Sequence, residues 1–241
     1  MAKMTGAQVL AEMLKGYGIT HIFHVPAVLR RTMYELEERS TIARIQTHGE
    51  KSAAYMADGY SRASKRPSVC MAQVIGAMNL AAGLRDPYLA KSPVLAFTGG
   101  RIPQTKFRKV YQEIDDVPSF DQVTKFNATI DDAGRIPDMV RQAFRVATSG
   151  TPGPVHLQFA GNEGQVDRGE ADMDVLVEHD FDHVPPYRPE PELDRVKAAV
   201  KILAEAKKPV IVAGGGVRAS GAGAELVALA EKLQIPVATS L

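Results

Sequence analysis

A carboxylate at the start of a predicted helix is the first group in this sequence that could carry chemistry. Glu50 follows a short predicted strand at 42–46 and begins a helix predicted over 50–64. The positive end of a helix favours the ionised form of a carboxylate, which can accept a hydrogen bond. Without further context, the same position also fits an ordinary first-turn glutamate.

Two other patterns carry a chemical interpretation. Residues 214–219 read G-G-G-V-R-A, which fits the G-x-G-x-x-A turn of dinucleotide-binding sites. The acidic residue expected at the end of the next strand is missing, because Thr239 and Ser240 lie there. Segment 101–110 is basic, which is typical of a solvated loop but would also suit an acidic substrate. Its cations are Arg101, Lys106, Arg108 and Lys109.

Composition excludes several classes of protein. Hydrophobic residues make up 45% of the 241 residues, which is too apolar for a wholly disordered chain. One cysteine excludes an internal disulfide framework, and no run approaches the roughly 18 apolar residues of a membrane-spanning helix. The net charge of +1 gives no electrostatic reason to bind nucleic acid or a membrane surface. Because the N-terminus lacks a signal-peptide pattern, we expect a cytoplasmic protein.

Strand and helix patterns alternate along the chain and predict an α/β fold: a parallel sheet with helices on both faces. Residues 101–124 are irregular and polar and predict a loop. The predicted strands of the first domain are 19–25, 42–46, 68–73, 93–98 and 154–159. The predicted helices are 6–17, 31–38, 50–64, 76–90 (with a bend or stop at Pro87) and 137–148.

The pattern changes after residue 162. Residues 1–162 predict one domain, and the polar, proline-rich segment 163–192 predicts a linker. Residues 193–241 predict the N-terminal part of a second α/β domain, with two helices and two strands. A parallel sheet of two strands is not expected to be stable alone, so this second domain is expected to be incomplete.

Six segments, in order, resemble the thiamine diphosphate (ThDP) enzymes of the acetolactate synthase-like superfamily. The string E-x-x-A-A-x-x-A-D-G-Y-x-R-A-S at 50–64 is similar to part of the family's pyrimidine-binding domain. Four further segments of that domain match: ITHIFHVPAV, the stretch around G-A-M-N, YQEIDD and TPGPVHLQF. LAEAKKPVIVAGGGV resembles the start of the family's middle domain.

The resemblance implies catalytic roles for two residues. In the family, the glutamate matched by Glu50 hydrogen-bonds N1′ of the ThDP aminopyrimidine and so promotes formation of the reactive C2 ylid. The glutamine matched by Gln112 points toward the reacting intermediate. The positions that match cofactor-lining residues are Val25, Pro26, Gly76 and Asn79, together with Glu50.

The sequence departs from the family pattern near these residues. Ala27 replaces the glycine of the family's V-P-G loop, and Val74-Ile75 replaces the usual G-P before Gly76. These changes put the shape of the cofactor contacts in question. Two alternatives also stay open: Asn79 as a helix-start cap, and Gln112 as a loop amide bonded to backbone.

The implied activity is decarboxylation and carboligation of a 2-oxo acid or related carbonyl compound. The family holds Mg²⁺ and the diphosphate on a separate domain with a G-D-G…N pattern, which is absent from this sequence, so no metal ligand is predicted here. The family's middle domain holds FAD in some members, and nothing in this sequence supports FAD. The resemblance also implies a dimer or tetramer, because the family's active site forms between subunits.

Several explanations of the missing domain remain open. The chain is a fragment, one half of a split enzyme whose partner chain carries the diphosphate-binding domain, or a residual domain without catalysis. In each case we expect the chain alone to be inactive. A hypothesis of a different class is a non-catalytic nucleotide-binding or interaction module in which Glu50 is structural.

Overall fold

The computed structural model of the chain describes residues 2–240, which form two compact units. Unit 1 extends to Pro186 and unit 2 begins at Tyr187. The main sheet of unit 1 has six parallel strands in the order β3-β2-β4-β5-β7-β6. These strands are β2 (His21–His24), β3 (Ala43–Gln46), β4 (Ser68–Ala72), β5 (Val94–Gly99), β6 (Asn127–Ile130) and β7 (Val155–Phe159). A separate antiparallel pair is formed by β1 (Ala2–Thr5) and β8 (Glu170–Met173).

Helices cover both faces of this sheet, as predicted. One face packs against α1 (Gly6–Gly16), α2 (Arg30–Arg39) and α6 (Ile136–Thr148). The other packs against α3 (Glu50–Ser64) and α4 (Ala77–Gly83), and α5 (Arg85–Ala90) contacts these two helices. Every residue of the central strands β4, β5 and β7 is buried. Strands β4 and β5 are therefore mostly apolar rather than alternating, whereas β7 carries two buried polar residues, His156 and Gln158.

Two details of unit 1 differ from the sequence-based prediction. The strand β6 was not predicted, because it lies at the sheet edge with only Ile130 fully buried and therefore lacks an apolar run. The helix predicted over 76–90 is two helices that meet at Leu84. Pro87 falls in the first turn of α5, where its missing N–H leaves no helical hydrogen bond unmade.

The segment predicted as a linker is partly folded onto unit 1. Strand β8 pairs with β1 in register from Ala2↔Met173 to Thr5↔Glu170. Met173 is 2% exposed and joins the core beside α1. The polar composition of the segment hid this pairing, because Met173 is the only fully buried residue described in β1 and β8 and the two strands lie at opposite ends of the domain sequence.

Unit 2 contains one parallel strand pair and three helices. Strand β9 (Ile211–Ala213) pairs with β10 (Val237–Thr239), and the helices are α7 (Leu193–Glu205), α8 (Gly215–Ser220) and α9 (Gly223–Leu233). Of the described apolar residues in this unit, only Ala213 and Ile235 are buried. Helix α8 occupies the predicted glycine turn. Across residues 2–240, no helix is both long and apolar enough to cross a lipid bilayer.

Candidate functional site

Polar residues gather at one edge of the main sheet, beyond the carboxyl ends of β2, β3 and β4. The three strands run parallel, so the residues that follow them emerge on the same side. Ligands of open α/β sheets bind in the crevice outside these strand ends. The Val25–Pro26 segment follows β2, Glu50 follows β3 after a short turn, and Gln73 follows β4. The candidate site is this edge of the sheet.

A short turn after β3 places Glu50 at the first position of α3. The backbone N–H of Thr47 donates to the His24 carbonyl at 2.9 Å, which ties the turn to β2. The Thr47 hydroxyl donates to the Gly49 carbonyl at 2.9 Å, and Gly49 begins the helix in an extended conformation. Ala53 and Ala54, one turn later, are fully buried. These contacts fix the helix end, and the Glu50 side chain is half-buried there.

Two of the predicted cofactor-lining residues contact the Glu50 side chain directly. Asn79 Nδ2 donates to Glu50 Oε2 at 3.2 Å. Gly76 lies against the same carboxylate: a Cβ on Gly76 would be 2.6 Å from Glu50 Cγ and 2.5 Å from Cδ. Glycine is therefore required at residue 76 by close approach and not by backbone angle, since its φ is −94°. No other described donor bonds the second carboxylate oxygen, Oε1.

Gln112 joins the same edge through two side-chain amides. Its Oε1 accepts from Gln73 Nε2 at 3.1 Å and from Asn162 Nδ2 at 3.3 Å. Gln73 directly precedes the turn Val74–Gly76, so the support of Gln112 is continuous with the turn that lies over Glu50. The backbone of Gln112 has φ +60°, an unfavourable region for this residue type. These bonds are made to side chains rather than backbone, and they leave Gln112 Nε2 without a described partner.

The Val25–Pro26 loop reaches this edge without contacting Glu50 through a hydrogen bond. The Val25 N–H donates to the Met71 carbonyl at 3.3 Å, which continues the pairing of β2 with β4. Val25 is half-buried and Pro26 is exposed. Ala27 then takes φ +74°, the left-handed conformation in which glycine is favoured. Ala27 thus adopts the turn conformation of a glycine, and its backbone is strained there.

We expect Ala27→Gly to stabilise unit 1 by up to about 1 kcal/mol, because losing the Cβ relieves left-handed strain that exceeds the added entropy of the unfolded glycine. Urea unfolding followed by tyrosine fluorescence measures this, since six of the seven tyrosines lie in unit 1. Ala82→Gly, in the exposed face of helix α4, is the control and should destabilise by about 1 kcal/mol. Equal destabilisation by both variants would contradict the strain at residue 27.

The segment after Gln112 is anchored to the sheet by buried polar groups that sequence analysis did not single out. Burial lowers the pKa of His156 to about 3, so its ring is neutral. Its Nδ1–H donates to Asn127 Oδ1 at 2.7 Å, and its Nε2 accepts from the Thr98 hydroxyl at 2.7 Å. The ring stacks on Phe120 at 3.5 Å, and Asn127 Nδ2 donates to the Val117 carbonyl at 2.7 Å. This network fixes residues 117–120 above β6 and β7.

Asp116 is the second buried group at the base of this segment. Its Oδ1 accepts from Gln158 Nε2 at 2.7 Å, whereas its buried Oδ2 has no described partner. Burial, more than the neighbouring Asp115, raises the pKa of Asp116 to about 6. The consecutive aspartates Asp115-Asp116 were the only signal in the sequence, and they could not reveal that the second one faces Gln158, 42 residues away.

We expect Asp116→Asn to become relatively more stable than the original chain as pH rises. The folded-state pKa of Asp116 lies about two units above its ordinary value, so the fold favours the protonated form. This preference stabilises the fold below pH 4. The stabilisation is lost as pH rises through 6, which lowers the free energy of unfolding by up to about 3 kcal/mol. Asparagine does not ionise and avoids this cost.

Unfolding free energies measured in urea from pH 4 to 8 test this expectation. The difference between Asp116→Asn and the original chain should grow through pH 6 and level off above pH 7. Asp172→Asn, which removes an exposed carboxylate from β8, should show no such growth. A constant difference for Asp116→Asn across the range would contradict a protonated, buried Asp116.

Two protein-family models match the chain. The model described as thiamine pyrophosphate enzyme, N-terminal TPP binding domain, matches residues 4–119. The model described as thiamine pyrophosphate enzyme, central domain, matches residues 196–241. The first match contains the strand ends, Glu50, Gly76, Asn79 and Gln112, and the second falls within unit 2. Among residues 2–240, no group of three histidine, cysteine, aspartate or glutamate side chains is arranged to hold a metal ion.

Curated relatives match almost the whole chain. It is 37% identical to the probable acetolactate synthase large subunit of Methanocaldococcus jannaschii, 34% identical to the acetolactate synthase of Arthrospira platensis and 30% identical to the acetolactate synthase large subunit of Lactococcus lactis. These matches cover 98–99% of this chain but only 40–42% of the relatives. The chain therefore spans about two fifths of their length.

A solved structure has the same fold. It is the X-ray structure of a protein from Mycobacterium smegmatis described as thiamin diphosphate-dependent, with a TM-score of 0.79 and 24% sequence identity. The match covers 98% of this chain and 44% of that one.

Proposed function

Because the chain belongs to the thiamine pyrophosphate enzyme family, we propose that it supplies the pyrimidine-binding side of a ThDP-dependent active site. The reaction is decarboxylation of a 2-oxo acid, with protonation or transfer of the product to an acceptor. One observation carries the proposal: Asn79 and Gly76 hold the Glu50 carboxylate at the carboxyl edge of the sheet with one oxygen free of described donors. The names of the relatives support the same reaction class.

The residues at this edge fit the aminopyrimidine of ThDP. Asn79 occupies only one oxygen of the Glu50 carboxylate, so the other oxygen is available to a ring nitrogen. A side chain on Gly76 would overlap the carboxylate and displace it from this position. Val25 and Pro26 lie at the same edge and supply apolar surface. When bound, ThDP supplies the carbon nucleophile and the electron sink that 2-oxo acid decarboxylation needs.

Glu50 and Gln112 have different tasks in this proposal. Glu50 would share a proton with a ring nitrogen of the bound cofactor, and the Asn79 contact holds the carboxylate in place for this. Gln112 presents an N–H donor, because Gln73 and Asn162 both bond its oxygen. Such a donor stabilises negative charge on a substrate oxygen where that charge develops. This orientation of the amide goes together with the unfavourable backbone φ of Gln112.

Exposed apolar side chains support a site completed by another domain or subunit. Tyr55 and Met56 on α3 are 44% and 43% exposed, and Ile75 and Met78 beside Gly76 are 62% and 45% exposed. Large apolar side chains clustered near a functional edge mark interaction surfaces. We therefore place the diphosphate and Mg²⁺ on a domain outside this chain, within a dimer or tetramer, or on a complementary chain.

The test uses the complete assembly, meaning this chain together with a diphosphate-binding domain in the same polypeptide or on a second chain. Consumption of pyruvate and release of CO₂ are measured with and without ThDP and Mg²⁺. The proposal expects turnover that needs both. Native mass spectrometry of the same sample should show the cofactor only in species that contain the diphosphate-binding domain. A folded assembly that retains ThDP but turns over no 2-oxo acid would support a non-catalytic binding module instead.

A further inference from the structure

The segment that carries Gln112 has an unusual concentration of unpaired positive charge. Lys106, Arg108 and Lys109 are all exposed, and none of them forms an ion pair with any residue in 2–240. They lie three to six residues from Gln112, so their Cα atoms are at most about 20 Å from its Cα, and the nearest at most about 11 Å. Long cationic side chains at this distance can reach a substrate that Gln112 faces.

The tip of this segment is folded in a way that keeps its charge available. Both oxygens of the Glu113 carboxylate are used by backbone: one accepts from the Phe107 N–H at 2.6 Å and the other from the Val110 N–H at 3.2 Å. These bonds lower the pKa of Glu113 and close residues 107–113 into a compact loop. The one acid within the tip is therefore bonded to backbone and forms no ion pair with Lys106, Arg108 or Lys109.

Two cations of the segment, Lys106 and Arg101, lie beside an exposed ring. Phe107 is 81% exposed, and Lys106 Nζ lies 5.2 Å from its ring centroid. The Arg101 guanidinium lies 5.8 Å from the same ring and pairs with Asp115 at 2.9 Å, which joins the two ends of the segment. Both Phe107 and Lys109 adopt positive φ, so the tip has a defined and strained shape. Positive charge held close together on a defined loop suits a fixed anionic group.

We propose that residues 106–109 select substrates that carry a second anionic group in addition to the 2-oxo carboxylate. This inference rests on the proposed function and specifies its substrate class. A simple 2-oxo acid has one carboxylate, and that group leaves as CO₂. Such a substrate therefore has no other anionic group that could pair with the cations of this loop. A second carboxylate, phosphonate or sulfonate at the far end of the substrate would lie on the Gln112 side and pair with Lys106, Arg108 and Lys109. The net positive tip would also attract such a substrate at low ionic strength.

Two probes of matched size test the proposal in the complete assembly. 2-Oxoglutarate and 2-oxopentanoate have the same five-carbon chain and differ in a terminal carboxylate or methyl group. We expect kcat/KM to favour 2-oxoglutarate, with an advantage that shrinks as salt increases. In the Lys106→Gln/Arg108→Gln/Lys109→Gln variant this advantage should fall at least about tenfold, while kcat/KM for 2-oxopentanoate stays within about twofold.

A control variant separates this loop from charge in general. Lys65→Gln/Arg85→Gln/Lys91→Gln removes three exposed cations from the ends of α3 and α5 and should leave the ratio of the two substrates unchanged. Amide chemical shifts of residues 106–111 in the 241-residue chain give a second readout that needs no turnover. They should move with 2-oxoglutarate more than with 2-oxopentanoate, and not in the loop variant.

The outcomes distinguish this inference from the proposed function. An equal loss for both substrates would overturn the inference and would indicate that the cations contact the diphosphate-binding domain. A substrate ratio that the loop variant leaves unchanged would also overturn it, as would amide shifts that are the same for both probes. Absence of turnover with every 2-oxo acid, while the amide shifts still discriminate between the probes, would instead contradict the proposed function.

Discussion

Glu50→Gln should lower kcat of the complete assembly by about 100-fold to 10,000-fold while leaving the fold intact. Glutamine keeps the size of the side chain and an oxygen that can accept from Asn79, so the contact at 3.2 Å can persist. It removes the carboxylate that we propose takes up and returns a proton. Because Glu50 is half-buried and makes one described hydrogen bond, we expect the free energy of unfolding to change by less than about 0.5 kcal/mol.

Steady-state turnover of the 2-oxo acid, measured with saturating ThDP and Mg²⁺, checks this result. Glu225→Gln is the matched control, since Glu225 also lies in the first turn of a helix, α9 of unit 2. It removes the same charge from a helix N-terminus and should leave kcat unchanged. Activity of Glu50→Gln within tenfold of the original would leave Glu50 a structural first-turn residue and remove the central element of the proposal.

The position of Glu50 was predictable because its signals are local. A stretch of about 20 residues contains the sequence signals for the strand at 42–46, the turn and the helix that begins at residue 50. The central strands β4 and β5 were predicted for a similar reason, since their full burial goes with a mostly apolar run. Edge strand β6 lacked such a run, and the β1–β8 pair joins segments about 165 residues apart whose polar composition gave no sign of pairing.

The support around the site was not predictable from spacing alone. Gln112 was singled out from a resemblance, but its partners Gln73 and Asn162 lie 39 and 50 residues away in sequence. In the sequence, Asp116 is one of two consecutive aspartates. Only the fold shows that its side chain is buried and accepts a hydrogen bond from Gln158. Side-chain contacts between distant loops depend on how the strand ends are ordered in the sheet, and one sequence does not contain that order explicitly.

Ala27 illustrates how a departure from a family pattern can be resolved by the fold. The sequence showed that alanine replaces a glycine, and the expectation was an altered backbone. The structure instead retains the positive φ at residue 27, and the tertiary contacts around the loop overcome the local preference of alanine. The neighbouring Val74-Ile75 substitution acts differently, because the turn over 74–76 still brings Gly76 against Glu50.

Gly76→Ala should reduce turnover of the complete assembly by about 100-fold through displacement of the Glu50 carboxylate. The φ and ψ of Gly76 are −94° and −1°, a bridge region that is allowed for alanine, so the backbone does not exclude a side chain. The added Cβ would instead overlap the Glu50 side chain, with Cδ at 2.5 Å. The flexible glutamate can move away, which keeps the cost in stability near about 1 kcal/mol, but a shift of about 1 Å misaligns the proton acceptor.

The Glu50→Gln/Gly76→Ala double variant shows whether Gly76→Ala lowers kcat by moving the Glu50 carboxylate. If Gly76→Ala acts only by moving the carboxylate, adding it to Glu50→Gln should lower kcat by less than about threefold more, because both changes remove the same function. Gly59→Ala, on the exposed face of α3 with open space around it, is the steric control and should leave kcat unchanged while stabilising the helix slightly. Full multiplication of the two losses would mean that Gly76 serves the reaction independently of Glu50, and near-normal turnover of Gly76→Ala would contradict the close approach on which the site is built.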